Sequence, residues 1–278
     1  MTRQRSAACG PTGWAVLALM TLVFSPLQAF AQDFASPWSR GEVSSARMIS
    51  AGGLFEDHAY RAGMEIELKG MGHTYWRNPG DSGVPPVISF AGSSNLAAAE
   101  LFFPAPKRLN EAGGVVYGYR NRAVLPIRVL PADPAKPVEL AFDLRYAACD
   151  RICVPAEARG RLTLSPTGEA GPYRDVIMAA GARVPRPAGP KDPKVTLSRR
   201  DARNWHLAVT PLGPDADLFA EGPEGWYFDT KASGDGFDLI LAERPGDAGP
   251  AVSLTLTLTG GNYATEQSLS LDVSGSAP

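Results

Sequence analysis

Val138, Leu140, Phe142, Leu144 and Tyr146 occupy every second position of one stretch, with Glu139, Ala141, Asp143, Arg145 and Ala147 between them. A strand sends successive side chains to opposite faces, so this period of two predicts a half-buried strand. Leu162 and Leu164 alternate with Arg161, Thr163 and Ser165, which predicts the return strand. Residues 64–69, 87–90 and 124–130 read as further strands, and Asn78-Pro79-Gly80-Asp81 and Val84-Pro85-Pro86 carry turn chemistry. A second group follows later, at residues 205–209 and 237–241. There Val252, Leu254, Leu256 and Leu258 alternate with Ser253, Thr255 and Thr257, and Gly260-Gly261-Asn262 turns the chain toward Leu269, Leu271 and Val273.

Three segments break the alternation. Arg3 and Arg5, an apolar run from Trp14 to Phe24, and Ala29-Phe30-Ala31 read as an export leader over residues 1–31, cleaved after Ala31. Cys9 leaves with it. At 172–183, Tyr173, Val176, Ile177 and Ala180 share one helical face behind Pro172, which predicts a short helix against a sheet edge. Pro185-Arg186-Pro187-Ala188-Gly189-Pro190-Lys191-Asp192-Pro193 reads as a stiff linker. The expected organisation is therefore all-β: a sandwich over 32–184, a linker over 185–193 and a second sandwich over 194–278.

Composition agrees with many short strands joined by turns, with 29 Gly and 25 Pro in 278 residues. Lys+Arg 27 against Asp+Glu 29 gives a net charge of −2, and loss of Arg3 and Arg5 takes it to about −4. No basic patch with interleaved aromatics points to nucleic acid, and no stretch after the leader is long and apolar enough to cross a bilayer. An exported protein of the periplasm is expected, in a compartment that permits disulfides. No nucleophile elbow, phosphate loop or paired-carboxylate motif stands out, no cofactor is expected, and Glu221, Glu224 and Asp229 read as solvated loop residues.

Candidate chemistry rests on Cys149 and Cys153. An extended segment would hold their Cα atoms about 13 Å apart. A disulfide needs about 5.5 Å, so the chain must turn at Asp150-Arg151-Ile152 if they pair. In an unbulged strand Cys149 shares the face of Asp143 and Arg145, away from Phe142 and Leu144. By spacing alone, two cysteines in an exported β-domain read first as a structural staple. Zinc is not expected, because His58, His73 and His206 are far from the pair in sequence and two thiolates do not complete a tetrahedral site. Tyr75 and Trp76 read as core packing at a strand end, and Trp226-Tyr227-Phe228 as core or edge packing.

Three ordered blocks carry a resemblance. Tyr146-Ala147-Ala148-Cys149-Asp150-Arg151-Ile152-Cys153-Val154-Pro155 resembles the cysteine motif in the N-terminal periplasmic domain of DsbD-type thiol:disulfide interchange proteins, especially the suppressor-of-copper-sensitivity B branch. His73-Thr74-Tyr75-Trp76-Arg77-Asn78-Pro79-Gly80-Asp81-Ser82-Gly83-Val84-Pro85-Pro86 resembles that branch's Tyr-Trp-Arg-x-Pro-Gly-Asp-x-Gly-x-Pro-Pro segment. Tyr117-Gly118-Tyr119-Arg120-Asn121-Arg122-Ala123-Val124-Leu125-Pro126-Ile127 resembles the stretch leading into the next strand. The blocks lie in order within residues 45–165, and the resemblance fades beyond about residue 190.

The resemblance implies an immunoglobulin-like fold and a relay in which Cys149 and Cys153 carry electrons. These would come from a membrane-embedded thiol donor and pass to oxidised, thioredoxin-like periplasmic proteins. It implies that the second cysteine, Cys153, holds the partner in the mixed disulfide. It also implies a shielding loop, expected in residues 111–119 with Tyr117 and Tyr119 as the shields. Tyr146, Asp150 and Arg151 flank the pair and complete the expected binding set. The multi-helix membrane domain and the thioredoxin-like domain of full-length relatives are not expected in this sequence, so it is expected to need a separate partner for a relay or to serve a different task. The alternative is a non-enzymatic binding or metal-tolerance module with a structural disulfide.

Overall fold

The computed structural model describes residues 1–2, 33–80, 82–111, 114–261 and 263–275. The expected leader and its cleavage site lie outside the described residues, as do Asp81, Ala112, Gly113 and Asn262. Residues Gln32–Pro278 form one compact unit. Among the described residues no helix is long and apolar enough to cross a membrane.

Two sheets face each other across the first core. One runs in the order β1 (Ser39–Arg40), β2 (Ser44–Ser50), β3 (Tyr60–Leu68), β9 (Arg122–Pro131), β6 (Leu96–Leu101). The other runs β11 (Cys153–Leu164), β10 (Val138–Cys149), β4 (His73–Gly80), β8 (Gly114–Arg120), β7 (Lys107–Glu111), with β5 (Val87–Ser89) paired to β10. Met48, Met64, Ile66, Leu125 and Ile127 of the first sheet meet Trp76, Leu140, Leu144 and Tyr146 of the second. The alternation in β10 thus marks its buried face, and β11 returns antiparallel along its whole length.

The helix α1 (Arg174–Gly181) covers the outer face of the first sheet, where Ile177 packs with Ile49, Ala51 and Val124. It was expected at an edge. Gly63 makes the face available, since a Cβ there would lie 3.3 Å from both Ile177 and Val124.

The second group of strands builds two more sheets around a core that includes Trp205, Leu207, Leu239, Leu254 and Leu256. Their orders are β12 (Arg186–Pro187), β19 (Tyr263–Asp272), β18 (Ala251–Gly260), β15 (Asp217–Glu221) and β13 (Lys194–Arg199), β14 (Asn204–Thr210), β17 (Gly236–Glu243), β16 (Tyr227–Ser233).

Three local expectations change. Arg186 and Pro187, expected in the linker, pair in parallel with Thr265 and Glu266 of β19, and Ala188 N–H donates to Glu266 O at 2.8 Å. Proline is tolerated there because β12 is an edge strand. Asn78, Pro79 and Gly80 continue β4 rather than turning, and the pairing with β8 is irregular between Tyr75 and Gly80, where a missing proline N–H costs no ladder bond. Glu221 and Asp229 are strand residues, and Glu221 is paired with Arg77.

The two cores meet at β15. Leu218 and Ala220 enter the second core, while Phe219, fully buried, enters the first. Its ring meets Tyr117 edge-on at 4.9 Å and Trp76 at 5.7 Å. Arg108 forks onto Asp217 at 2.9 Å and donates to Leu218 O at 2.7 Å. Arg77 bonds Glu221 and Glu266.

Candidate functional site

The site lies at the tip of the β10–β11 hairpin. Cys149 and Cys153 are cross-strand partners in the register and form a disulfide, with Cα atoms 4.0 Å apart. Asp150, Arg151 and Ile152 make the turn, and Asp150 N–H donates to Ile152 O at 3.2 Å. Parity decides what surrounds the sulfurs. Ala148 and Tyr146 point into the main core, whereas Cys149 and Ala147 point to the other face, beside Tyr75, Leu109 and Val116. The two cysteines differ in exposure. Cys149 is 2 % exposed and Cys153 is exposed.

One register pair on the other side of β10, Cys149 with His73 of β4, brings a third segment to the disulfide. His73 and Tyr75 alternate with Thr74 and Trp76, so while Trp76 fills the core, His73 and Tyr75 share the disulfide's face. The Tyr75 hydroxyl stands 3.1 Å from Cys149 Sγ and 3.2 Å from Cys153 Sγ. It donates to Glu111 Oε1 at 2.9 Å, and the same carboxylate oxygen bonds His73 Nε2. Burial, and then the bonded Glu111 carboxylate, push the Tyr75 phenol well above its ordinary range. Tyr75 is therefore a neutral hydroxyl at any physiological pH, able to accept from a thiol or donate to a thiolate.

Gly83 holds that ring in place. It has a φ of 114°, and a Cβ there would lie 2.4 Å from Tyr75 Cε1, so the segment after β4 passes directly over the tyrosine.

The shield expected from Tyr117 and Tyr119 is placed differently. Both sit on the core face of β8: Tyr117 packs on Phe219, and the Tyr119 hydroxyl donates to Pro104 O at 2.7 Å. Burial raises the Tyr119 phenol well above its ordinary range. The block 111–119 does border the cysteines, but through Glu111 at the end of β7 and Val116 of β8. Tyr146 also points inward, bonding Ser44 Oγ at 2.8 Å, and burial raises its phenol. Asp150 and Arg151 are exposed at the tip. The hydroxyl that touches both sulfurs belongs to Tyr75, which sequence reading assigned to the core. Likewise His73, set aside for its distance along the chain, is a neighbour of Cys149 in space.

The sequence of residues 45–165 matches the family described as thiol:disulfide interchange protein DsbD, N-terminal. Those residues are a DsbD-type N-terminal domain. Residues 45–165 supply every residue of the site, from the strands and from the turns between them. Among solved structures, the chain is similar to the N-terminal periplasmic domain of ScsB from Proteus mirabilis, with 19 % identity, a TM-score of 0.66, and 87 % of this chain and 99 % of that one covered. That likeness reaches well beyond residue 165, so the DsbD-type domain and the strands after it share a fold with the ScsB domain as a whole. The tandem Ig repeats of Dlar align over 83 % of this chain and 98 % of theirs at 12 % identity, with a TM-score of only 0.20. No curated protein sequence matches the chain.

Proposed function

We propose that Cys149–Cys153 is the exchange centre of a periplasmic thiol:disulfide relay, taking electrons from a membrane-embedded dithiol and passing them to oxidised, thioredoxin-like proteins. The observation that carries this reading is the asymmetry of the pair: an exposed Cys153 joined to a buried Cys149, with one neutral hydroxyl in contact with both sulfurs. A structural staple has no need of such an arrangement.

In the reducing half-cycle a donor thiolate attacks Cys153 Sγ. The donor–Cys153 bond forms, the Cys149–Cys153 bond breaks, and Cys149 leaves as a thiolate. Tyr75 can turn its proton from Glu111 to that thiolate, a charge-assisted hydrogen bond that favours the leaving group. The donor's second thiolate then releases Cys153, and the domain holds two thiols and two electrons. In the delivering half-cycle Cys153 attacks the acceptor's disulfide. Cys149 then displaces the reduced acceptor and restores the original bond. Access supports this order, since a partner sulfur must reach Cys153 in line with the bond it breaks.

Around the tip, Ile152 is 70 % exposed, Met71 69 % and Val84 58 %. Met71 adjoins Gly72, packed on the Cys149 carbonyl, and Val84 follows Gly83 on the Tyr75 ring. An apolar rim about a reactive sulfur supports transient docking of a partner protein.

The test is native-state reduction. A thioredoxin-like dithiol protein should reduce the disulfide of the folded chain within minutes and equilibrate with it at a measurable potential. If the bond resists until denaturant unfolds the domain, it is a staple and the relay reading fails.

A further inference from the structure

A ring nitrogen of His73, a carboxylate oxygen of Glu111 and Cys149 Sγ lie within 4.8 Å of one another, His73 Nε2 bonds Glu111 Oε1, and Cys153 Sγ is bonded to Cys149 Sγ. His73 is 5 % exposed and Cys149 2 % exposed, so these groups converge in a largely desolvated corner at the sheet end. An imidazole, a carboxylate and two sulfurs are the four donors of a tetrahedral zinc site. In the disulfide form the set is incomplete, because both sulfurs are spent on each other and neither carries a charge.

We propose that reduction completes it, so that the dithiol form binds one Zn2+ through Cys149 Sγ, Cys153 Sγ, His73 Nε2 and Glu111. The step balances simply. Two thiols give up two protons, the metal takes the two thiolates, and no electron moves. His73 accepts the metal at Nε2 and keeps its remaining proton on Nδ1, giving up its bond to Glu111.

The geometry asks for modest movement. At Zn–S distances of about 2.3 Å the two sulfurs must stand about 3.8 Å apart. They are cross-strand neighbours at the end of a hairpin whose turn, Asp150 to Ile152, is exposed, so the tip can open by that amount. His73 and Glu111, now in direct hydrogen bond, must separate by about 1 Å to stand as adjacent ligands.

Tyr75 remains in hydrogen-bond reach of both sulfurs and of Glu111, and so orients the ligands from the second layer. The donor chemistry selects the metal. Ca2+ and Mg2+ take oxygen ligands, whereas two thiolates with an imidazole suit Zn2+, which cannot itself reoxidise them. Zinc would occupy both thiolates at once, so the reduced domain would be withheld from exchange until the metal left. The inference needs only that the disulfide can be reduced chemically, and so stands apart from the relay reading.

The experiment uses the full chain, in disulfide form and after reduction with a non-thiol phosphine. ZnCl2 is titrated in competition with a chromophoric chelator. The reduced chain should bind one Zn2+ and the disulfide form none. His73→Gln and Glu111→Gln should each weaken binding at least about tenfold. X-ray absorption of the wild-type zinc complex, which needs no variant to fold, should show two sulfur and two nitrogen or oxygen ligands.

Equal binding by both redox forms, no binding by the reduced form, or unchanged affinity in both variants would overturn the site. So would a four-sulfur or all-oxygen ligand set. Exchange with a dithiol protein, measured separately under a strong chelator, tests the relay alone. Failure there with zinc binding intact sinks the relay and leaves the site standing.

Discussion

Tyr75 Oη stands 3.1 Å from Cys149 Sγ, although the two residues are 74 positions apart in the chain. The single register pair between β4 and β10 makes the contact possible, and Gly83 pins the ring that delivers it. Removing only the hydroxyl isolates its part in the chemistry. Tyr75→Phe keeps the packed ring but leaves the departing Cys149 thiolate without its donor. A hydrogen bond to a charged group contributes about 1.5–3 kcal/mol, so reduction of the native disulfide at neutral pH should slow about 10- to 100-fold. Stopped-flow reduction by a small dithiol measures this, and a rate within twofold of wild type would remove Tyr75 from the mechanism.

Glu111 acts on the same thiolate with the opposite sign. Its carboxylate lies within 4.8 Å of Cys149 Sγ and holds the Tyr75 proton in the disulfide form. Glu111→Gln removes a like charge from the neighbourhood of a forming thiolate and releases the hydroxyl toward sulfur, so both changes favour the anion. The pH profile of thiol alkylation in the reduced variant should move to lower pH. His73, which bonds the same carboxylate, is expected to oppose part of the shift. A move to higher pH would mean that Glu111 serves as a proton acceptor rather than a fixed charge.

How far the sequence foretold this site follows from which contacts were local. The β10–β11 hairpin and the facing of Cys149 away from Phe142 and Leu144 were legible, because parity along one strand needs no knowledge of its neighbours. The Tyr75 contact was not, because it depends on β4 meeting β10 at one pair only. A signal existed all the same. His73 and Tyr75 alternate with Trp76, so a buried tryptophan places both on the opposite face. Tyr117 and Tyr119 lie on the core face for the same reason, being in step with it. The pairing of Arg186 and Pro187 with β19 could not be read from a proline-rich segment, since composition describes stiffness and not what lies alongside.

The raised Tyr75 phenol carries a stability consequence. A group whose folded pKa lies above its unfolded value of about 10 contributes stability that is present in full below that pH and is lost as pH rises toward the folded value. Tyr60, Tyr119, Tyr146 and Tyr263 shift in the same direction, so the wild type alone cannot isolate it. The stability difference between wild type and Tyr75→Phe should therefore shrink as pH is raised from 9 to 11 in urea unfolding. A constant difference would show that the hydroxyl ionises as it does in the unfolded chain.

Access to the two sulfurs sets the next expectation. Cys149→Ala leaves the exposed thiol with nothing to resolve a mixed disulfide, so partners attached at Cys153 should accumulate. Cys153→Ala leaves only a thiol that is 2 % exposed, and should trap few. Each variant is expressed as the full chain, quenched in acid and compared on non-reducing gels. Equal trapping by both would remove the assignment of Cys153 as the entry sulfur, and trapping by neither would favour a staple.

The last expectation concerns how far the two pairs of sheets depend on each other. The boundary proposed at residues 185–193 itself contains β12, which pairs with β19, and Phe219 of β15 is buried in the first core against Trp76 and Tyr117. Arg108 and Arg77 fix the same strand through Asp217, Glu221 and Glu266. Truncating a buried phenylalanine costs about 3–5 kcal/mol, and for a chain of this size that lowers the midpoint of thermal unfolding by about 6–10 °C. Phe219→Ala should do so although it lies far from the cysteines. Before the substitution, a nick at 185–193 should leave the two fragments associated in native buffer, because the apolar contact and ion pairs do not run through the cleaved bonds. After it, the same nick should let them separate on a sizing column, with the disulfide retained by the N-terminal fragment. Separation of the wild-type fragments on nicking would mean that β15 adds little to the first core, and that each sandwich stands alone.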